Sequence, residues 1–280
     1  NKKIIFSKQM NELPQYNTGL IEGSGTPSLY IGGTIPYEVV NESGDWRPYV
    51  VRHEKQKDPL ETMACVSFSC NNCLEIQYNF FGIDKNFSDR FLAEMSGTTP
   101  QGNYLDKVAD TARIVGLVDE MDYPNVPKAT TWDEYYKTIP MEIINKAVPQ
   151  PISFERVSLS DMEKELKQCP LQVTIIAPHP NHAVTLLHIE GDKAYIQDHY
   201  NLQTRKISRS SIAYALKIVL NKPNMTNSLI VKNGAEFGIY DPATSEDGLI
   251  TLMRNRGMNV PLKVDGSLDW DKIKIDKNLV

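Results

Sequence analysis

Between Met63 and Phe81 the apolar side chains Val66, Cys70, Cys73, Leu74, Tyr78 and Phe81 return at helical spacing. The period predicts a buried helix over 63–81, stopped near Gly82. A second helix is expected over 104–115, where Leu105, Val108, Ala109, Ala112 and Val115 line one side and Gly116 supplies the stop. A third is expected over 160–169, capped by Ser158 or Ser160, with acidic residues in its first turn and Pro170 just beyond it. After Pro170 the period changes from helical to two. Residues 171–177, 183–189, 194–198 and 204–207 read as consecutive strands, divided by the turn-forming runs "PHPNH", "EGD" and "HYNLQ".

A helical part followed by a strand-rich part implies an α+β domain, with the join near Pro149-Gln150-Pro151. Residues 1–50 carry many turn formers, as in "EGSGTPS", "IGGT" and "NESGDW", and predict an irregular arm or pro-like segment with short strands such as 28–31. Residues 51–222 form the expected main domain. After the polar break "NKPNMTN", residues 223–280 read as a small extension with a hairpin over 228–240, turning at Asn233-Gly234. A helix over 245–256, followed by Gly257, completes that expectation.

Composition then removes whole classes of function. The 280 residues carry a formal net charge of −5 and no basic stripe, so a nucleic-acid partner held by phosphate neutralisation is not expected. The longest apolar runs, 173–177 and 183–187, fall far short of the ~20 residues of a membrane helix, so no membrane partner is expected either. The opening "NKKIIFSKQMNELPQ" lacks a sustained apolar region and is not read as a signal peptide. Of the four cysteines, Cys70 and Cys73 form a CxxC pair with no second pair or suitably spaced histidines. Zinc is therefore not expected, nor is any other cofactor. Such thiols fit a reducing compartment, and a cytoplasmic location is the expectation.

Chemistry enters at Cys65 in "ETMACVSFS". It stands near the start of the 63–81 helix, where unpaired backbone N–H groups and the positive end of the dipole favour a thiolate. Thiol catalysis also needs a base, a group that fixes the base, and donors for the oxyanion. His182 is the candidate base, at the mouth of a strand after "HPN". His188 shares its facing by strict alternation and reads as structural, whereas His179 and His199 are loop residues. If the strands on either side of Gly191 form a hairpin, Asp198 returns to the neighbourhood of His182 and fixes its tautomer.

These residues give the chain a resemblance to the papain-like cysteine peptidases. "ACVSFS" is similar to that family's Cys-Trp-Ala-Phe-Ser, with Phe68-Ser69 matching, and Asn181-His182-Ala183-Val184 matches its Asn-His-Ala-Val strand. The run "FSDRFLAEMSG", then "ADTARIVGLVDEMDYP" with Tyr123-Pro124, resembles the connecting stretch. The resemblance covers roughly residues 50–220 and implies a two-part fold, a central helix that starts at the nucleophile, and a strand-rich half that carries His182 and Asp198. It implies peptide-bond hydrolysis through a thioester, with Gln56 as the oxyanion donor if "KDPLET" forms a longer loop, because Pro59 occupies the usual position. Val66 stands where the family has an aromatic, Met63-Ala64 where it has Gly-Ser, and Asp198 where it usually has asparagine. The last departure moves the site toward the Cys-His-Asp pattern of transglutaminase-like enzymes.

The implied partner is a peptide or protein substrate. The same triad would also serve a peptidoglycan amidase or a transglutaminase-like acyl transferase. The segment before the site resembles in style the arms of papain-like proteins encoded by tailed bacteriophages. A catalytically silent fold would then be a virion component or a self-associating one, through the arm or the extension.

Overall fold

The computed structural model describes Leu20, residues 37–57, 59–126, 128–200 and 202–221, Lys263, and the backbone of 229–233, 236–240 and 274–275. The chain divides into two compact units, Asn1–Leu220 and Asn221–Val280. Helix α1 (Cys65–Phe80) is the axis of the first, and every residue of it from Cys65 to Gln77 is buried. A helix buried all round must find partners for its polar side chains. Asn71 donates to Asp89 at 2.8 Å, Asn72 bonds His199 at 2.9 Å, and Glu75 accepts the Phe87 N–H at 2.7 Å. Gln77 donates to the Ile218 carbonyl and accepts the Leu220 N–H. The mixed sequence of α1 is thus a set of ties to its neighbours.

Around it lie α2 (Asp89–Met95), capped by the Ser88 hydroxyl, and α3 (Leu105–Ile114), whose Leu105, Val108, Ala109 and Ala112 face the core. Two single turns follow, α4 (Trp132–Tyr135) and α5 (Met141–Ile144). The helix expected over 160–169 is shorter, α6 (Met162–Glu165), with Asp161 at its N-cap. The hydroxyls of Ser158 and Ser160 bond each other at 2.8 Å instead of capping. Past Glu165 the chain tightens, with the Gln168 N–H reaching back only three residues to the Glu165 carbonyl.

The strand-rich half is one antiparallel sheet of β1 (Ile152–Val157), β2 (Leu171–Ile175), β3 (His182–Glu190), β4 (Lys193–Asp198), β5 (Gln203–Ser208) and β6 (Ile212–Leu220). Its order is β1-β6-β2-β3-β4-β5. Helix α1 is fastened across it: Gln172 donates to the Val66 carbonyl at 2.8 Å, and Thr185 to the Ser69 carbonyl at 3.2 Å. Residues 37–50 are anchored by Trp46, which is fully buried, meets the rings of Tyr49 and Phe80 at steep angles, and donates from Nε1 to the Leu166 carbonyl at 2.6 Å.

In the second unit β7 (Leu229–Asn233) and β8 (Glu236–Tyr240) pair antiparallel with Asn233 opposite Glu236, and β9 (Lys274–Ile275) pairs with β7. The expected strand over 28–31 and helix over 245–256 lie outside the described residues.

Candidate active site

Cys65 is the first residue of α1, after Ala64 at the N-cap. Its sulfur is fully buried and receives the N–H of Ala183 at 3.5 Å, which sets it against the start of β3. Burial pushes the Cys65 thiol up to about 12, and the charges of Glu61 and Asp198 act in the same direction. The Ala183 and Val66 N–H groups oppose that rise without cancelling it. Held this way the sulfur is a thiol, and a nucleophile forms only when a neighbouring base takes its proton.

The hairpin of β3 and β4 brings an imidazole and a carboxylate together. His182 opens β3, Asp198 closes β4, and Nε2 of the imidazole lies 3.1 Å from Oδ1 of the carboxylate. A carboxylate only accepts, so Nε2 carries hydrogen. Nδ1 is buried without a hydrogen-bond partner among the described residues. Burial alone would raise the Asp198 carboxyl, but His182, the Tyr200 N–H at 3.0 Å and Arg205 at 2.5 Å outweigh it and hold Asp198 well below the usual carboxylate range. The charged form of Asp198 beside the imidazole is thereby favoured.

Two members of this group were not singled out from the sequence. Arg205 reaches Asp198 from β5, the neighbour of β4 in the sheet. Tyr200 lies flat over His182, with ring centroids 4.5 Å apart and planes 13° from parallel, so it covers one face of the imidazole. The spacing Asp198-x-Tyr200 was the available clue. Glu61 is the third residue the sequence did not single out, and it receives the Tyr200 hydroxyl at 2.6 Å.

Gln56 comes to the same place. A bridge pairs Lys57 with Glu61, and the Gln56 side chain is buried within reach of Glu61, donating from Nε2 to Oε1 at 2.7 Å. The backbone before it is pinned by His199, whose carbonyl accepts the Gln56 N–H at 3.2 Å and whose Nδ1 lies 3.2 Å from the Glu54 carbonyl. A carbonyl can only accept, so His199 donates from Nδ1 and accepts from Asn72 at Nε2. Burial pushes the His199 pKa down to about 4, and its ring is a neutral strut.

The remaining candidates separate from the site. The register of β3 on β4 shifts between Leu186 and His188, which breaks the alternation behind the shared facing of His182 and His188. His188 instead lies 3.3 Å from the Gly44 carbonyl. His179 stays closer, its ring 6.1 Å from that of His182 and 5.2 Å from that of Tyr200. Cys70, Cys73 and Cys169 are free and buried, and no metal-binding group of His, Cys, Asp and Glu occurs among the described residues. Val66 is fully buried in the core behind Cys65.

No protein-family model and no curated protein matches the chain. Solved structures do. Xylellain, a cysteine protease from Xylella fastidiosa, aligns over 64% of this chain and 85% of its own at TM-score 0.52 and 9% identity. The digestive procathepsin L 3 of Tenebrio molitor larval midgut aligns over 73% and 76%, at TM-score 0.51 and 15% identity. The proform of the ragweed pollen protease Amb a 11 aligns over 64% of this chain at TM-score 0.48 and 16% identity, and the chain spans 66% of that relative's length. Identities this low speak for architecture alone: the chain has the α+β fold of the papain-like cysteine proteases.

Proposed function

We propose that the chain is a thiol hydrolase that cleaves peptide bonds with Cys65 as nucleophile, His182 as base and acid, and Asp198 as the group that orients the imidazole. The observation that carries this reading is the state of His182. Asp198 takes its Nε2–H at 3.1 Å, which leaves Nδ1 as the nitrogen that can accept a proton; the N–H of the next residue touches the Cys65 sulfur, and no hydrogen bond joins that sulfur to Nδ1 among the described residues. In the first step the thiol proton passes to Nδ1 as sulfur bonds to the carbonyl carbon and the carbonyl electron pair becomes an oxyanion. The Cys65 N–H and the Gln56 amide would receive that oxyanion. The C–N bond then breaks as Nδ1–H protonates the leaving amine. Water hydrolyses the thioester with the same base, and the proton returns to sulfur.

A catalytically silent role in a virion or another assembly has one observation in its favour: Cys65 and His182 are both fully buried. Iodoacetamide labelling, with hydrolysis of a peptide library by the wild type and Cys65→Ala, decides between the two. The peptidase reading expects Cys65 to be alkylated faster than Cys70 or Cys73 and hydrolysis to disappear in the variant. Equal labelling together with unchanged hydrolysis would sink it.

A further inference from the structure

Glu61 is where three parts of the site meet. Its Oε1 accepts the Gln56 amide at 2.7 Å and the Met63 N–H at 3.1 Å, and its Oε2 accepts the Tyr200 hydroxyl at 2.6 Å. Each donor belongs to a different element of the proposed machinery. Gln56 would hold the oxyanion, Met63 lies two residues before the nucleophile, and Tyr200 covers His182. Met63 has φ 55°, a left-handed conformation rare for a residue with a long side chain, and its N–H points back at the carboxylate in that turn.

A primary amide has a donor end and an acceptor end of nearly equal shape, so its environment decides which end faces a substrate. A carboxylate offers only acceptors. Facing Glu61, the Gln56 side chain must turn its NH2 group toward the Glu61 side of the site, with one N–H spent on the carboxylate and the other left over. Its Oε1 makes no hydrogen bond among the described residues, so no second group enforces the orientation. The bond from Tyr200 runs from the same carboxylate to the ring stacked on the base, and it fixes donor and base relative to each other.

We infer that Glu61 is a positioning residue: it sets the Gln56 amide with its N–H toward the oxyanion and ties that amide, through Tyr200, to the imidazole of His182. This rests on the peptidase reading, since it gives Glu61 no function in a silent fold. It acts through Gln56 and touches no substrate itself. Its loss falls on the step where charge develops on the carbonyl oxygen, so it lowers kcat and leaves KM nearly unchanged.

The test is a double-mutant cycle on the full chain, read as kcat and KM for a peptide substrate identified with the wild type. Gln56→Ala is expected to lower kcat by roughly 10²–10³-fold, the usual cost of a lost oxyanion donor. Glu61→Ala is expected to lower it at least about tenfold, and Glu61→Gln, whose amide oxygen still accepts from Gln56, to recover most of that loss. The decisive measurement is Glu61→Ala in the Gln56→Ala background, where a residue acting through Gln56 has no further effect. A merely structural loss would multiply the two defects, and that result overturns the inference. So does a Glu61→Ala variant as active as the wild type or more active, since the carboxylate would then be blocking the donor. A wild type no more active than Cys65→Ala removes the peptidase reading and this inference with it, whereas an active wild type with additive variants removes this inference alone.

Discussion

Glu75 is a carboxylic acid on the central helix, buried to 7% exposure, and replacing it with glutamine separates the pH dependence of the fold from everything else. Burial pushes its pKa from 4.5 up to about 8; the Phe87 N–H and Arg52 pull it down, and the nearby Glu54 and Glu120 push it further up. Asp89, joined to Glu54, is raised in the same way, and burial lifts Glu120 to about 7. Between pH 4.5 and 8 the folded chain therefore binds protons that the unfolded chain has released, so stability falls as pH rises. Below the unfolded value the penalty is absent, and above the folded value it is complete. At ~1.4 kcal/mol per pKa unit the complete penalty for Glu75 is about 5 kcal/mol, and about 3–4 kcal/mol of it develops between pH 5 and 8. At roughly 2–4 °C per kcal/mol for a unit of this size, Glu75 alone should lower the wild-type Tm by about 10 °C over that range. Glu75→Gln keeps an oxygen for the Phe87 N–H and has nothing to ionise, so its Tm should fall less steeply and exceed the wild type's at pH 8. The residual slope belongs to Asp89 and Glu120. Thermal melts of both proteins from pH 5 to 8 decide it: parallel curves, with a constant difference, would refute the assignment.

Other substitutions address single contacts. Asp198→Ala removes the partner of His182 Nε2 and leaves the Arg205 guanidinium without its carboxylate; kcat for peptide hydrolysis should fall at least about 10²-fold, and a loss under threefold would show that the imidazole is oriented by something else. Tyr200→Phe keeps the ring over His182 and deletes only the hydroxyl bond to Glu61, which at about 0.5–1.5 kcal/mol corresponds to a loss of roughly 2–10-fold in kcat. Trp46→Ala empties a fully buried site against Phe80 and frees the Leu166 carbonyl; urea denaturation should show about 3–5 kcal/mol of lost stability, and a loss below 1 kcal/mol would mean that residues 37–50 are not fastened by this ring.

The features that could be read from the sequence share one property: each is written in a local pattern. The helix that begins at Cys65 follows from the recurrence of Val66, Cys70, Cys73 and Leu74, and the approach of Asp198 to His182 follows from two alternating runs joined at Gly191. A hairpin converts sequence separation into spatial nearness by a rule, so the shared neighbourhood of the two side chains, though not their 3.1 Å contact, needed no knowledge of the rest of the fold. Strand β6 shows the contrary case. Residues 212–220 lie between β1 and β2 in the sheet although they come last of the six in sequence, and no local period announces an insertion of that kind. Glu61 was invisible for the same reason. On the chain it is a charged residue in a polar lead-in, indistinguishable from a solvated one. Its meaning comes from Tyr200, 139 residues away, whose hydroxyl it accepts, and from Gln56, whose amide it accepts at its other oxygen. A sequence announces candidate nucleophiles and bases because their elements place them, whereas the acceptor that holds those groups in relation to one another is defined only by what the completed fold brings to it.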